Sequence, residues 1–330
     1  MIIRVNDEKL DFTIEKEQDL QDVLSNIENW VGSEGGIIQK VLVDREDVPL
    51  ADEAEGLHRD ITSIGEIEVY AATKERHAAE ALSTLGDYIL MILDRSLEPD
   101  PHSSYEEIMK GLETVFEAVR DSSLVLGIRV GLVLGSGNRP LDVVLRELDG
   151  LRKRYERRYF ESEGRSAIVS SLKELFAHIP KLLKWAVVKN PETFDEVEKN
   201  RKQDYFREVL TDFQAILGDT EMVFEKIAEN LQIGNDGEAM GDIYRMTEML
   251  DECIELLKIA EGHGIDREKL QGAGTQAEET FRDISSRLNE TYEALKLGDM
   301  VTVGDIMEYE IHPLWKRLAG LLSSIKDFIR

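Results

Sequence analysis

The spacing of apolar residues changes style once along this chain, near Lys74. Before that point, "MIIRV" and "LDFTI" flank the polar "NDEK" and put Ile2, Val5, Leu10, Phe12 and Ile14 at partly alternating positions, which predicts a hairpin. Leu20, Val23, Leu24, Ile27 and Val31 then keep a helical period until the glycines of "GSEGG" at 32–36 stop it. "IIQKVLVDREDVPL" and "ITSIGEIEVYAAT" return to strand-like runs on either side of the acidic loop "ADEAEG".

Beyond Lys74 the period is helical. Ala78, Leu82, Leu85, Ile89 and Ile92 form one stripe, and Tyr105, Ile108, Leu112, Val115 and Val119 form another. Two packed helices are expected, the second opening on a capping box of Ser104 and Glu107. "DSSLVLGIRVGLVLGSGNRP" is nearly continuous in apolar residues and predicts a separate buried helix, capped by Asp121 or Ser122 and ended by its glycines, with a strand as the other reading. "LDVVLRELDGLRKRYERRYF" then begins an amphipathic helix that turns basic. Helices resume near Ser166, with breaks expected at Pro180 and at Pro191, where Asn190 offers a cap. Further helical stretches are expected over roughly 194–217, 220–231, 237–260, 275–297 and 302–329. The last of these should kink or restart at Pro313, which lacks a backbone donor and crowds the Tyr309 carbonyl.

Two joints between helices repeat each other. "LQIGNDGEAMGDIY" from Leu231 and "LKLGDMVTVGDIMEY" from Leu295 each place a glycine after an apolar helix end, then short polar residues, then a Gly-Asp-Ile that opens the next helix. Gly234 and Gly298 suit the left-handed residue that ends a helix, and Asn235 and Asp299 suit the following cap. The turn accounts for the repeat without a ligand. An oxygen-ligand metal site made by Asn235, Asp236, Glu238 and Asp242 lacks the alternating acids, central glycine and terminal glutamate of a calcium loop.

The order strand, strand, helix, strand, loop, strand over residues 1–73, with the short "DITSIG" approach to "EIEVYAA", resembles the ubiquitin-like β-grasp domains. The resemblance implies a module that binds other proteins. Conjugated members of that family end in a di-glycine tail, whereas this chain reads "TKERHAAEAL" there, so conjugation is not implied. The expected class is α+β: a small β-grasp domain at 1–73, a helical middle region at 74–165, and a mostly α-helical bundle with a divergent hairpin repeat at 166–330.

Composition narrows what such a molecule can bind. Its 330 residues are 42% hydrophobic and 32% charged, the make-up of a folded chain somewhat rich in charge. Against 40 lysines and arginines stand 67 acids, and the resulting charge of -27 repels phosphate backbones and anionic lipid while favouring a basic partner. The longest apolar run, "SLVLGIRVGLVLG", is too short to cross a bilayer, and "MIIRVNDEKL" lacks the basic lead and apolar core of a secretory signal, so a cytoplasmic location is expected. The single cysteine, Cys253, excludes an internal disulfide, and Met246, Leu250 and Leu257 around it predict burial.

Candidate chemistry is sparse. "GLVLGSGNRP" at 131–140 lacks the Lys-Ser/Thr of a phosphate loop and the glycine spacing of a dinucleotide fingerprint. No two of His58, His77, His102, His178, His263 and His312 stand at the spacing of a zinc helix. No catalytic, cofactor or metal residue is assigned. The outlier is "LRKRYERRYF", where Arg152, Arg154, Arg157 and Arg158 interleave with Tyr155 and Tyr159, diluted by Glu147, Asp149, Glu156 and Glu161. Those arginines and tyrosines, with Trp315 beside the last apolar stripe, are the candidate interaction residues.

The expected function is that of a bacterial, non-enzymatic adaptor, scaffold or chaperone-like protein holding another protein's basic or amphipathic helical segment. In style the acidic helical region is similar to cytosolic chaperones for exported subunits, such as those of flagellar secretion. One alternative is an enzyme or sensor that binds a small anionic ligand between helical hairpins, through the 131–140 loop and the arginines. Another is a homodimer closed by the apolar stripes.

Overall fold

The structure, a computed structural model, describes residues 1–10, 17, 19–49, 58–97, 101–154, 164–263, 265 and 267–328. The chain divides into two compact units, Met1–Leu85 with Glu117–Leu126, and Gly86–Phe116 with Gly127–Arg330.

In the first unit β1 (Ile2–Val5) turns at once into β2 (Glu8–Lys9). The turn is Asn6-Asp7, both with positive φ (50° and 66°), which matches the twist of a tight hairpin and sets Arg4 opposite Lys9. The hairpin is therefore tighter than "NDEK" suggested, because Glu8 and Lys9 belong to the strand. Phe12 and Ile14 lie outside the described residues. Helix α1 (Leu20–Ser33) starts at Asp19, whose side chain accepts from the Asp22 N–H. β3 (Gly36–Val43) and β4 (Glu46–Val48) form a second hairpin about Asp44-Arg45, again at positive φ, so the run read as one strand folds back on itself. The "ADEAEG" loop also lies outside the described residues. β5 (Glu66–Thr73) closes the sheet in the order β2-β1-β5-β3-β4, parallel to β1 and antiparallel to β3.

One face of α1 makes this unit's core. Leu20, Val23 and Ile27 have no exposed surface and pack in one cluster with Val41, Val43, Ile67 and Val69. At about 25 cal/mol per Å² of apolar surface, each such side chain is worth roughly 1.5–3 kcal/mol. A five-stranded mixed sheet crossed by one helix is a β-grasp-like arrangement, and with the helices that follow it makes the chain α+β.

Helices α2 (Lys74–Leu97) and α3 (Pro101–Val125) bury the stripes that their periodicity announced. Helix α3 begins before Ser104, so that residue lies inside the helix and does not cap it. It also runs through Asp121 to Val125, and the separate helix expected there does not form. The chain leaves α3 at Gly127, at φ 67°, and continues irregularly with short 3-10 turns at Val130–Leu132 and Ser136–Asn138. Its apolar residues are continuous because Leu126, Ile128, Leu132, Val133 and Leu134 are all buried.

The second unit is helical. After α4 (Leu141–Arg154) comes α5 (Arg165–Lys189), in which Trp185, Ala186, Val187 and Val188 are consecutively buried. That last turn of α5 is thus covered on every side, while the part before it keeps an exposed face at Ser166, Ser170, Lys173 and Phe176. Pro180 was expected to break it, yet α5 is continuous: burial of Leu175, Ile179 and Leu182 outweighs the roughly 3 kcal/mol that an interior proline costs. Asn190 stands at the N-cap position before Pro191 as expected, but its side chain makes no capping bond and the helix there is only a 3-10 turn, Pro191–Thr193. The stretch read as one helix from 194 splits at Arg201 into α6 (Glu196–Asn200) and α7 (Lys202–Asp219). Then follow α8 (Glu221–Gln232), α9 (Asp236–Ile259), α10 (Arg267–Lys296), α11 (Met300–Asp305) and α12 (His312–Phe328). Helices α5 and α7 pack together, as do α8 with α9 and α11, and α10 with α12.

Between α11 and α12 the backbone widens into a π-helical turn, Ile306–Ile311, closed by the His312 N–H on the Met307 carbonyl. This is how the chain accommodates Pro313: the wider register absorbs the missing donor and the stripe continues into Trp315 and Leu318. Among the described residues, no helix is long and apolar enough to cross a membrane.

Candidate functional site

The two repeated corners have the same backbone chemistry. At the first, the Asn235 N–H donates to the Asn230 carbonyl (2.7 Å) and the Gly234 N–H to the Leu231 carbonyl (3.3 Å). At the second, Asp299 donates to Ala294 and Gly298 to Leu295, both at 3.0 Å. Each pair is a Schellman motif, with Gly234 (φ 78°) and Gly298 (φ 70°) as its left-handed residue. The Asp299 carboxylate then caps α11, accepting from the Thr302 N–H and hydroxyl, which holds its pKa below the usual carboxylate range. Asn235 makes no such cap and instead donates to Glu238 (3.0 Å).

The second corner folds α11 back along α10 and leaves an open groove of about 490 Å³ between them. Ala294 and Ile306 form its apolar floor and are themselves nearly buried. Leu297 stands on its lip, 84% exposed. The charged residues lining it are Glu290, Glu293 and Asp299; no lysine or arginine lines it. Ser286 and Asn289 make its far end neutral. The groove is large enough for a small molecule, but it is an open trough without convergent donors, which suits an extended or helical segment.

The sequence-level candidates fall elsewhere. Tyr155, Arg157, Arg158 and Tyr159 lie outside the described residues. Arg152 is engaged at home: its guanidinium pairs with Asp149 (3.1 Å) and Glu113 (4.0 Å) and lies 5.9 Å from the centre of the Phe116 ring. Arg154 is exposed at the end of α4. Trp315 is 1% exposed, donates from its indole N–H to the Thr220 hydroxyl (3.1 Å) and meets Phe224 edge-on. It is a core residue, out of a partner's reach.

The 131–140 loop is likewise filled. The Gly135 N–H is taken by the Arg139 carbonyl (2.9 Å), and Arg139 pairs with Glu147 and Glu174. Buried His178 sets its two ring nitrogens against the Glu174 and Arg139 carbonyls, at 2.8 and 2.9 Å, with its ring directly over Gly135. The Gly135 N–H and the Arg139 guanidinium are thus both already engaged within the protein.

A charge cluster that no motif singled out joins the segment after α3 to α5 and α9. Glu252 has no exposed surface, and Lys189, 4% exposed, reaches it (2.8 Å) together with Glu255 (2.9 Å) and the Gly127 carbonyl (2.5 Å). Arg129 completes the pairing at 2.5 Å from Glu252. The buried Lys189–Glu252 pair at its centre is structural, since each charge already has a partner, while Arg129 and Glu255 are partly exposed. Cys253 beside it is fully buried, which pushes its thiol pKa well up and makes it inert. Among the described residues, no cluster of three or more metal-binding side chains occurs.

Residues 1–73 match a family model described as the TP0873 N-terminal domain, and residues 192–320 match one described as a domain of unknown function, DUF8042. The first match ends where β5 ends; the second contains both corners and the groove. An uncharacterized protein of Treponema pallidum (strain Nichols) is 32% identical over 121 residues, covering 35% of this chain and 58% of that protein. The chain thus spans little more than half the length of this relative. No solved structure matches it.

Proposed function

We propose that this chain is a cytoplasmic, bacterial, non-enzymatic adaptor or chaperone-like protein, in which a ubiquitin-like β-grasp module precedes a helical unit that holds a segment of another protein. The observation that carries this reading is the α10–α11 groove: an apolar floor and an exposed Leu297 where the turn itself asks for neither. The net charge of -27 supports a protein partner over nucleic acid or an anionic membrane. A relative in Treponema pallidum is in keeping with a bacterial setting. The small-anion alternative loses support from the groove's acidic lining and from the internal pairing of Arg139 and Arg152.

The test is affinity capture from the native cell with the whole chain and with residues 1–73 deleted, scored by quantitative mass spectrometry. Specific retention of one or a few proteins by either form is the expected outcome. If neither form retains anything, while a panel of anionic metabolites raises the melting temperature of the whole chain, the adaptor reading fails and the sensor reading takes its place.

A further inference from the structure

The occupant of the α10–α11 groove can be specified further, on the footing that the chain is an adaptor. We infer that the groove receives about three turns of a basic amphipathic helix from a partner protein, with an aliphatic side chain seated over Ala294 and Ile306 beside Leu297.

Length is the first argument. The α10 residues that face the groove run from Ser286 through Glu290 and Glu293 to Leu297, one face of a helix at i, i+4, i+7 and i+11. At 1.5 Å per residue that face is roughly 16 Å long, the length of about three helical turns. An open trough between two helices is the shape that a third helix fills by ridge-into-groove packing.

Exposure is the second. Leu297 is the last residue before the left-handed Gly298, a position whose geometry is satisfied by backbone hydrogen bonds alone. An apolar side chain 84% exposed there gains by being covered.

Charge selects the partner. Three acids and no base line the groove: Glu290 and Glu293 midway along the α10 face and Asp299 at the corner, with Ser286 and Asn289 as neutral polar lining. Arg287 and Lys296 hold Glu290 and Glu293 only through exposed pairs, which an incoming cation exchanges at little cost. The occupant therefore carries its lysines or arginines on the flanks of its apolar face, opposite Glu290, Glu293 and Asp299. A second copy of this chain brings another net charge of -27 and is repelled.

The experiment uses the full chain and a synthetic amphipathic helix of leucine and lysine. One control peptide has the same composition scrambled to destroy the apolar face, and another has glutamate for every lysine. Fluorescence anisotropy gives affinity, and hydrogen exchange gives location. The leucine-lysine helix should protect residues 286–306; the scrambled peptide should bind about tenfold more weakly and the glutamate peptide not at all. Leu297→Ser and the double variant Glu290→Lys/Glu293→Lys, all at exposed positions, should each weaken the helix about tenfold while circular dichroism stays unchanged. Protection spread over other acidic surfaces, or variants that bind like the parent, overturns the proposal. So does protection of 286–306 that rises with protein concentration in the absence of peptide, which makes a second copy the occupant. Repeating the cellular capture with Leu297→Ser separates the two levels: equal retention removes the groove and keeps the adaptor, whereas peptide binding with no cellular partner removes the adaptor and keeps the groove.

Discussion

Glu252 carries a charge with no exposed surface, so its partners decide whether α9 can pack where it does. Lys189 is the partner buried with it, and Arg129 is one-third exposed. Lys189→Met is predicted to cost about 3 kcal/mol in urea unfolding, because a buried carboxylate then relies on an exposed arginine alone. The double variant Lys189→Met/Glu252→Leu should recover most of that loss; if it does not, the cluster contributes net stability and is more than mutual compensation. His263 makes a second case. Burial, more than any other influence, holds its pKa below the usual histidine value, with Lys202 adding to the effect and the Ile259 carbonyl opposing it. The folded state thus favours the neutral ring. Its stabilising contribution is present above the unfolded pKa of about 6.5 and is lost as pH falls through the folded value. Between about pH 7.5 and 5.5 the parent should lose more stability than His263→Phe, which keeps a ring against Phe206 and cannot protonate. Equal losses would remove His263 as the cause. The Lys189–Glu252 pair was not legible in the sequence, since the two residues are 63 positions apart and only the fold brings them together. Arg152 shows the converse: its charge was obvious, whereas its partners, Glu113 and Phe116 on α3, were not.

At the scale of elements, glycine separates turns from packing. Gly234 and Gly298 have open space where a Cβ would stand, so Gly234→Ala and Gly298→Ala should each cost only about 1 kcal/mol, the strain of a left-handed alanine. Gly135→Ala is a different matter, because its Cβ would stand 2.3 Å from the His178 ring. There the predicted loss is about 3 kcal/mol, read from the midpoint of thermal unfolding. The same distinction explains which elements could be foreseen. Helix α1, the stripes of α2 and α3, and the glycines that end α8 and α10 follow from local periodicity and local turn chemistry and stand where the pattern put them, whereas the Gly-Asp-Ile segments read as opening the next helix lie inside α9 and at the end of α11. The failures occur where a local signal was overruled by burial. Asp121 and Ser122 look like caps but sit inside α3, and Pro180 looks like a break but lies in a helix held by the buried Leu175, Ile179 and Leu182. The groove was illegible for the same reason. Periodicity gives α10 its stripe, but an exposed Leu297 looks like any other apolar helix end until α11 is folded back beside it.

Charge acts on the scale of the whole molecule. On the proposed reading, an excess of 27 acids gives a field that would reach a basic partner before any contact forms, and the groove's three acids would only set where that partner comes to rest. These two roles respond differently to salt. The Debye length is about 30 Å at 0.01 M and about 8 Å at 0.15 M, so long-range attraction is lost over this interval while contacts within the groove are affected far less. In stopped-flow mixing with the leucine-lysine helix, the association rate is predicted to fall at least tenfold between those two salt concentrations, and the dissociation rate to change by less than about threefold. The charge-reversed Glu290→Lys/Glu293→Lys chain alters the net charge by only four units and so should keep most of the association rate, its defect showing instead in faster dissociation. If salt acted mainly on dissociation, or if the variant lost its association rate, the acids of the groove would be the source of attraction and the remaining charge of the molecule would serve its solubility alone.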